Sequence, residues 1–155
     1  MPRIEVLDHA DPDVAREIHA VMQAGYAVEA QLLGIVDFLP LLRTEEQVRA
    51  ARATFLGIRT GAAGCVAILE LEAVGADHDH IGSLVVHPEH FRRGHADALL
   101  REVTASHAGR QLTVSTGERN APALALYARH GFREWRRWTT ADGIPMITLA
   151  RGEES

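Results

Sequence analysis

The chain has 155 residues, 46% of them hydrophobic and 24% charged, and carries a net charge of −5. This is the size of one domain with a core of its own, and the acidic balance argues against a nucleic-acid partner and mildly for a cationic or amine-bearing one. The one cysteine, Cys65, excludes an internal disulfide and fits the cytoplasm, and with no apolar run reaching about 18 residues and no secretory signal pattern, no membrane segment is expected.

Arg3 to Leu7 alternates as a first strand. Asp11-Pro12-Asp13 then starts a helix, with a capping acid, a proline in the first turn and a second acid at the positive end. Val14, Ile18, Val21, Met22 and Tyr26 recur at helical spacing, and the pattern runs on to Gly34. Phe38 to Leu42 reads as an apolar loop, and Thr44-Glu-Glu-Gln47 as a capping box opening a second helix to about Thr54. Phe55–Thr60 and Cys65–Ala73 are strands joined by a turn at Gly61-Ala-Ala-Gly64, and Cys65 reads as a small buried hydrophobe.

Gly75 to His80 is expected to form a polar turn before a central apolar strand, Ile81 to Val86. A loop containing Pro88 leads to a helix that opens near Gly94 and is closed by Gly109. Leu112 to Thr116 is the next strand, and Asn120 caps a helix that ends at Gly131. Arg133–Thr140 and Ile144–Leu149 close the chain as a hairpin about Asp142-Gly143, with Arg151 to Ser155 as a frayed tail.

The stretch Ile81 to Leu100 organises the rest. In Arg92-Arg93-Gly94-His95-Ala96-Asp97, a glycine and small residues clear a path for backbone N–H groups at a helix N-terminus, which suits a phosphate or pyrophosphate. The arginines add charge-assisted contacts, and Asp97 must turn its carboxylate away from such a ligand. The loop lacks the Gly-x-Gly-x-x-Gly of dinucleotide folds, and no Gly-Lys-Ser/Thr occurs.

With Gly94-His95-Ala96 followed by Asn120, Tyr127 and Gly131-Phe132, the chain resembles the GCN5-related N-acetyltransferase (GNAT) superfamily. That family's loop has the form Arg/Gln-x-x-Gly-x-Gly/Ala; here Phe91 stands where it usually has Arg or Gln. The resemblance is sharp over residues 81 to 132 and extends from about 4 to 149 through the element order β-α-α-β-β-β-α-β-α-β-β. It implies one α/β (α+β) domain with a mixed, mostly antiparallel seven-stranded sheet flanked by helices.

The resemblance also implies acetyl-CoA as cosubstrate. Arg92, Arg93, Gly94, His95, Ala96, Asp97 and Asn120 would hold it, and the backbone of Leu84, Val85 and Val86 would pair with its pantetheine arm as a peptide pairs with a sheet edge. Tyr127 would protonate the departing thiolate after an amine attacks the thioester through a tetrahedral intermediate. The segment Tyr26 to Leu42, with Tyr26, Glu29 and Phe38, would face the acceptor.

The general base is less determined by the residues. Members of the family that acetylate protein N-termini often carry Glu where this chain has Ser115. Glu72 is favoured, with Glu70, Glu29, His78 and His80 as alternatives, acting directly or through water. Asp77-His-Asp-His80 lacks the wider ligand spacing that closes a metal site, and no metal is expected. His87, His90 and His95 read as helpers of the phosphate loop or as surface.

The expected activity is N-acetylation of a primary amine, preferably on a small molecule. Three alternatives remain at this stage: a non-catalytic acyl-CoA-binding sensor or interaction module, a protein or peptide N-acetyltransferase, and transfer of a longer acyl group or to a hydroxyl. The apolar C-terminal hairpin suggests a homodimer.

Overall fold

The computed structural model describes residues 3–61 and 64–152. Ala62 and Ala63 of the first expected hairpin turn, and residues 153–155 of the expected tail, lie outside them.

Among the described residues, seven strands and four α-helices follow the expected order. The strands are β1 (Arg3–Leu7), β2 (Thr54–Thr60), β3 (Gly64–Gly75), β4 (His78–Val86), β5 (Gln111–Gly117), β6 (Arg133–Thr139) and β7 (Pro145–Arg151). The helices are α1 (Pro12–Leu33), α2 (Glu45–Ala50), α3 (His95–Ser106) and α4 (Ala121–Arg129). The strands form one sheet in the order β1-β2-β3-β4-β5-β7-β6. Only β4 and β5 run parallel, as the α3 crossover between them requires; every other neighbour is antiparallel.

Alternation along the strands divides the core. On one face, Ile18 and Met22 of α1 and Val48 of α2 pack with Phe55, Ile68 and Val85. On the other, Leu99, Leu100 and Val103 of α3 and Tyr127 of α4 pack with Ala67, Leu69, Ile81 and Leu112. Removing one such aliphatic side chain from water contributes about 1.5–3 kcal/mol.

The helix starts follow their local chemistry. Asp11 accepts from the amides of Asp13 and Val14, Thr44 and Gln47 form a reciprocal capping box, and Asn120 accepts from Ala123. Gly34 ends α1 in the left-handed conformation, at φ 70°.

Several boundaries differ from expectation, among them Arg151, which pairs with Leu112 as the last residue of β7 and does not open a frayed tail. Leu39–Leu42 is a turn of 3-10 helix and not an irregular loop, because Pro40 fixes a helical φ there. The second helix stops at Ala50, and Thr54 already belongs to β2, opposite Leu71. The α3 helix ends at Ser106, and Gly109, at φ 85°, sits in the turn beyond. The polar turn shrinks to Ala76 and Asp77, while His78, Asp79 and His80 lie in β4. Asp79 is buried and takes two 2.8 Å hydrogen bonds from Arg110, which offsets the burial of its charge. No helix among the described residues is long and apolar enough to cross a membrane.

Candidate acyl-transfer site

The site begins with one unpaired residue. Glu70 of β3 faces Ser83 and Leu71 faces Ile81, so Gly82 is the extra residue of a β-bulge in β4. Pairing between β4 and β5 ends at Ile81 and Val114, immediately before the bulge. From Gly82 onward β4 stays on β3 while Ser115–Gly117 pair only with β7. The parallel strands part, and the β4 backbone from Gly82 to Val86 is left without strand partners on that side.

Beside this opening, α3 is the one α-helix among the described residues whose start has no side-chain cap. Its cap residue is Gly94, at φ 78°, and a methyl group there would meet nothing within 4 Å. The first-turn amides of His95, Ala96 and Asp97 therefore face open space with the positive end of the helix behind them. Arg92 is also left-handed, at φ 63°, which curls the loop toward the same side. A hollow of about 340 Å³ lies over these groups, walled by Leu84, Val85 and Val86 and by Pro122 and Leu126 of α4. Phe91 forms part of its rim, and Gly25 admits α1 so closely that an added Cβ would stand 2.1 Å from Val85 Cγ1.

Asp97 lines the hollow, and its carboxylate is engaged by side chains at the end of α4. Its Oδ1 accepts from His130 Nε2 at 2.7 Å, with Arg129 at 3.3 Å, tying the start of α3 to the end of α4. Those contacts, the His130 hydrogen bond first, hold its carboxyl below the usual carboxylate range. His95 is buried and neither ring nitrogen has a hydrogen-bond partner among the described residues; burial lowers its pKa, which favours the neutral ring. Arg93 points elsewhere, reaching His90 Nδ1 at 3.2 Å, and does not line the hollow.

On the far side of the strand opening is a second cleft, of about 380 Å³. It brings together Tyr26, Glu29, Phe38, Asn120 and Tyr127, which sequence reasoning drew from α1, the following turn and α4. Glu29 and Leu84 line both hollows and mark where they meet. Tyr127 packs edge-on to Phe132 with centroids 5.6 Å apart and lines the cleft. Burial raises its hydroxyl's pKa strongly, with Glu29 and Tyr26 adding to the effect, so it stays protonated. Burial also raises the carboxyl of Glu29, against a hydrogen bond from Asn120 Nδ2 at 3.4 Å.

Glu72 is not brought to this cleft. It lines a separate depression with Arg43, Gln47 and Glu70, with its Oε1 close enough to Gly82 that an added Cβ there would stand 2.8 Å away. His78 and His80 both bond Thr113 Oγ1 at 2.8 Å, and only His80 reaches the cleft wall. No three histidine, cysteine or acidic groups converge among the described residues. The cleft residues that sequence reasoning missed include Gly82, Ser83, Trp138, Asp142 and Met146. For Gly82 a signal existed, since a lone glycine inside an apolar strand marks a bulge; Trp138 and Met146 arrive only through sheet order.

Two parallel strands that part at a β4 bulge beside an uncapped helix are the arrangement that the resemblance in the sequence implies. A family model described as an acetyltransferase (GNAT) domain matches residues 50–134, and the chain belongs to that family. It is 32% identical over 143 residues to the UPF0157 protein YqkA of Bacillus subtilis, a match covering 91% of this chain and 41% of that protein. The chain thus spans about two fifths of that relative's length. Its fold is similar to the ribosomal-protein-S18-alanine N-acetyltransferase of Escherichia coli (TM-score 0.74, 20% identity, 100% of this chain and 97% of that one). It is also similar to the PaiA N-acetyltransferase of Thermoplasma acidophilum solved with coenzyme A (TM-score 0.76, 14% identity, 99% of both chains).

Proposed function

We propose that the chain transfers the acetyl group of acetyl-CoA to the free amine of a small molecule. The observation that carries this reading is the meeting of the two hollows at the parted strands, with the uncapped α3 at one end and Tyr127 at the other. The amides of His95, Ala96 and Asp97, with Arg92 beside them, suit the diphosphate of CoA. Free backbone groups of Leu84, Val85 and Val86 suit the amides of its pantetheine arm and the thioester carbonyl. Acetyl-CoA supplies an activated acyl group; the chain supplies its alignment with the amine.

Tyr127 is the general acid in this reading. Its hydroxyl, protonated at neutral pH, belongs to a side chain that lines the cleft, where it can give its proton to a departing thiolate. Asn120 caps α4 and steadies Glu29. On the acceptor side, Glu29 and Asp142 offer negative charge among apolar and aromatic walls from Phe38, Trp138 and Met146. Such walls favour a compact cationic amine, and Ser115 in place of a glutamate favours a small acceptor over a protein terminus. With Cys65 a free buried thiol, the cytoplasm is a fitting site of action. The β6 edge, exposed almost throughout with Trp135 outward, is where a second copy would pair.

The test is thiol release from acetyl-CoA across a panel of small amines, peptides and alcohols, with the product identified by mass. Amine-dependent release with an acetylated small amine is expected. Saturable acetyl-CoA binding with no release in any mixture would favour a sensor of acyl-CoA instead.

A further inference from the structure

A chain of side chains leads out of the acceptor cleft along the α1 face of the sheet. Tyr26 on α1 and Ser83 on β4 both line the cleft. Tyr26 Oη donates to Ser83 Oγ at 2.8 Å, and Ser83 Oγ donates to Glu70 Oε1 at 3.0 Å. Glu70 is 2% exposed and is gripped by Arg43 through two hydrogen bonds of 2.7 and 2.9 Å. Beyond it lies the depression shared by Arg43, Gln47, Glu70 and Glu72, open to solvent. The chain spans 57 residues between Tyr26 and Ser83, so no local structural need brings the two hydroxyls together.

Two features suit this arrangement to moving a proton. Every hydroxyl donates in one direction, from the cleft toward the carboxylate, which is the polarity a proton moving outward requires. And Glu70 lines the outer depression itself while accepting a hydrogen bond from Ser83 of the cleft. The charged and titratable groups facing it are Arg43 from the segment after α1, Tyr26 from α1, Glu72 on its own strand and His80 on β4.

We infer that Tyr26, Ser83 and Glu70 form a relay that carries the proton of the acceptor ammonium out of the cleft. This rests on the acetyltransferase reading above. The ammonium N–H bond breaks as its proton goes to Tyr26 Oη; the Tyr26 proton passes to Ser83 Oγ and the Ser83 proton to Glu70 Oε1. Both hydroxyls end neutral, Glu70 becomes a carboxylic acid, and the amine keeps its electron pair for the thioester carbon. Glu70 then loses the proton to water in the outer depression, where Glu72 is the next acceptor. Glu72, absent from the cleft, thus stands at the exit of the path. Burial and the neighbouring Glu70 raise its carboxyl, which suits it to take up a proton there.

Ser83→Ala tests this, because it cuts the path and leaves the Glu70–Arg43 pair in place. With the best amine from the panel, kcat near neutral pH should fall by about 100-fold with acetyl-CoA KM unchanged. The deficit should shrink by about tenfold per pH unit as pH rises toward the amine's pKa, since free amine needs no relay. Ser83→Thr, which keeps the hydroxyl, should retain activity, and Tyr26→Phe should match Ser83→Ala, with the double variant no worse than either. An unchanged kcat in Ser83→Ala, or a deficit independent of pH with only amine KM raised, overturns the relay. If wild type releases no thiol with any amine, it is the acetyltransferase reading that fails.

Discussion

Glu29 on α1 accepts a hydrogen bond from Asn120 at the head of α4, joining the two helices across the point where both hollows meet. Burial pushes the Glu29 carboxyl above the usual carboxylate range. The folded state therefore binds this proton more tightly than the unfolded chain, and stability falls as pH rises from about 4.3 through the folded value. Glu29→Gln should flatten that part of the stability–pH curve and raise Tm at pH 7, while raising KM for a cationic amine. Scanning calorimetry at pH 4 to 8 checks the first, and a drop in Tm at pH 7 would contradict it.

Gly25 meets Val85 where α1 crosses β4, with no room for a side chain. Gly25→Ala should force the helix off the strand and cost about 1–3 kcal/mol. Urea unfolding at constant m-value measures it. Because Gly25 and Val85 also wall the phosphate-side hollow, acetyl-CoA affinity should weaken in the same variant.

Tyr127→Phe removes one oxygen from a ring already packed on Phe132. It should lower kcat by about 100-fold while leaving the acetyl-CoA Kd near that of wild type. Steady-state rates alongside calorimetric titration separate the two effects.

Asp79 behaves oppositely to Glu29. Hydrogen bonds from Arg110 hold its carboxyl below the usual range, so its contribution is present above the unfolded value near 3.9 and is lost as pH falls through the folded one. Asp79→Asn should reduce stability at neutral pH and blunt the acid limb of the unfolding profile. Identical acid limbs in the two proteins would contradict the assignment.

Most of the architecture was legible because its signals are local. Asp11, Thr44 and Asn120 each cap the helix that their spacing announces, and Gly34 stops α1. The loop Arg92 to Asp97 also declared itself, since a glycine before a helix with no capping side chain is visible in order. What stayed hidden depends on register and distance. The offset that leaves Gly82 unpaired is a property of β3 and β4 together, and the depression that Glu72 lines draws on residues far apart in the chain, so Glu72 could not be told from a cleft residue. His78, Asp79 and His80 carry turn-forming residue types, yet pairing on both sides and the Arg110 contact make them strand. The Tyr26–Ser83–Glu70 chain joins three elements and has no sequence signature at all.

The central claim is that unpaired main-chain groups at the start of α3 and along β4 hold acetyl-CoA, and backbone amide hydrogen exchange reads them directly. With saturating acetyl-CoA, the amides of His95, Ala96 and Asp97, and amides within Leu84–Val86, should exchange at least about tenfold more slowly, while the β6 edge is unchanged. Saturable binding that leaves all of those amides exchanging at their free rates would contradict the account.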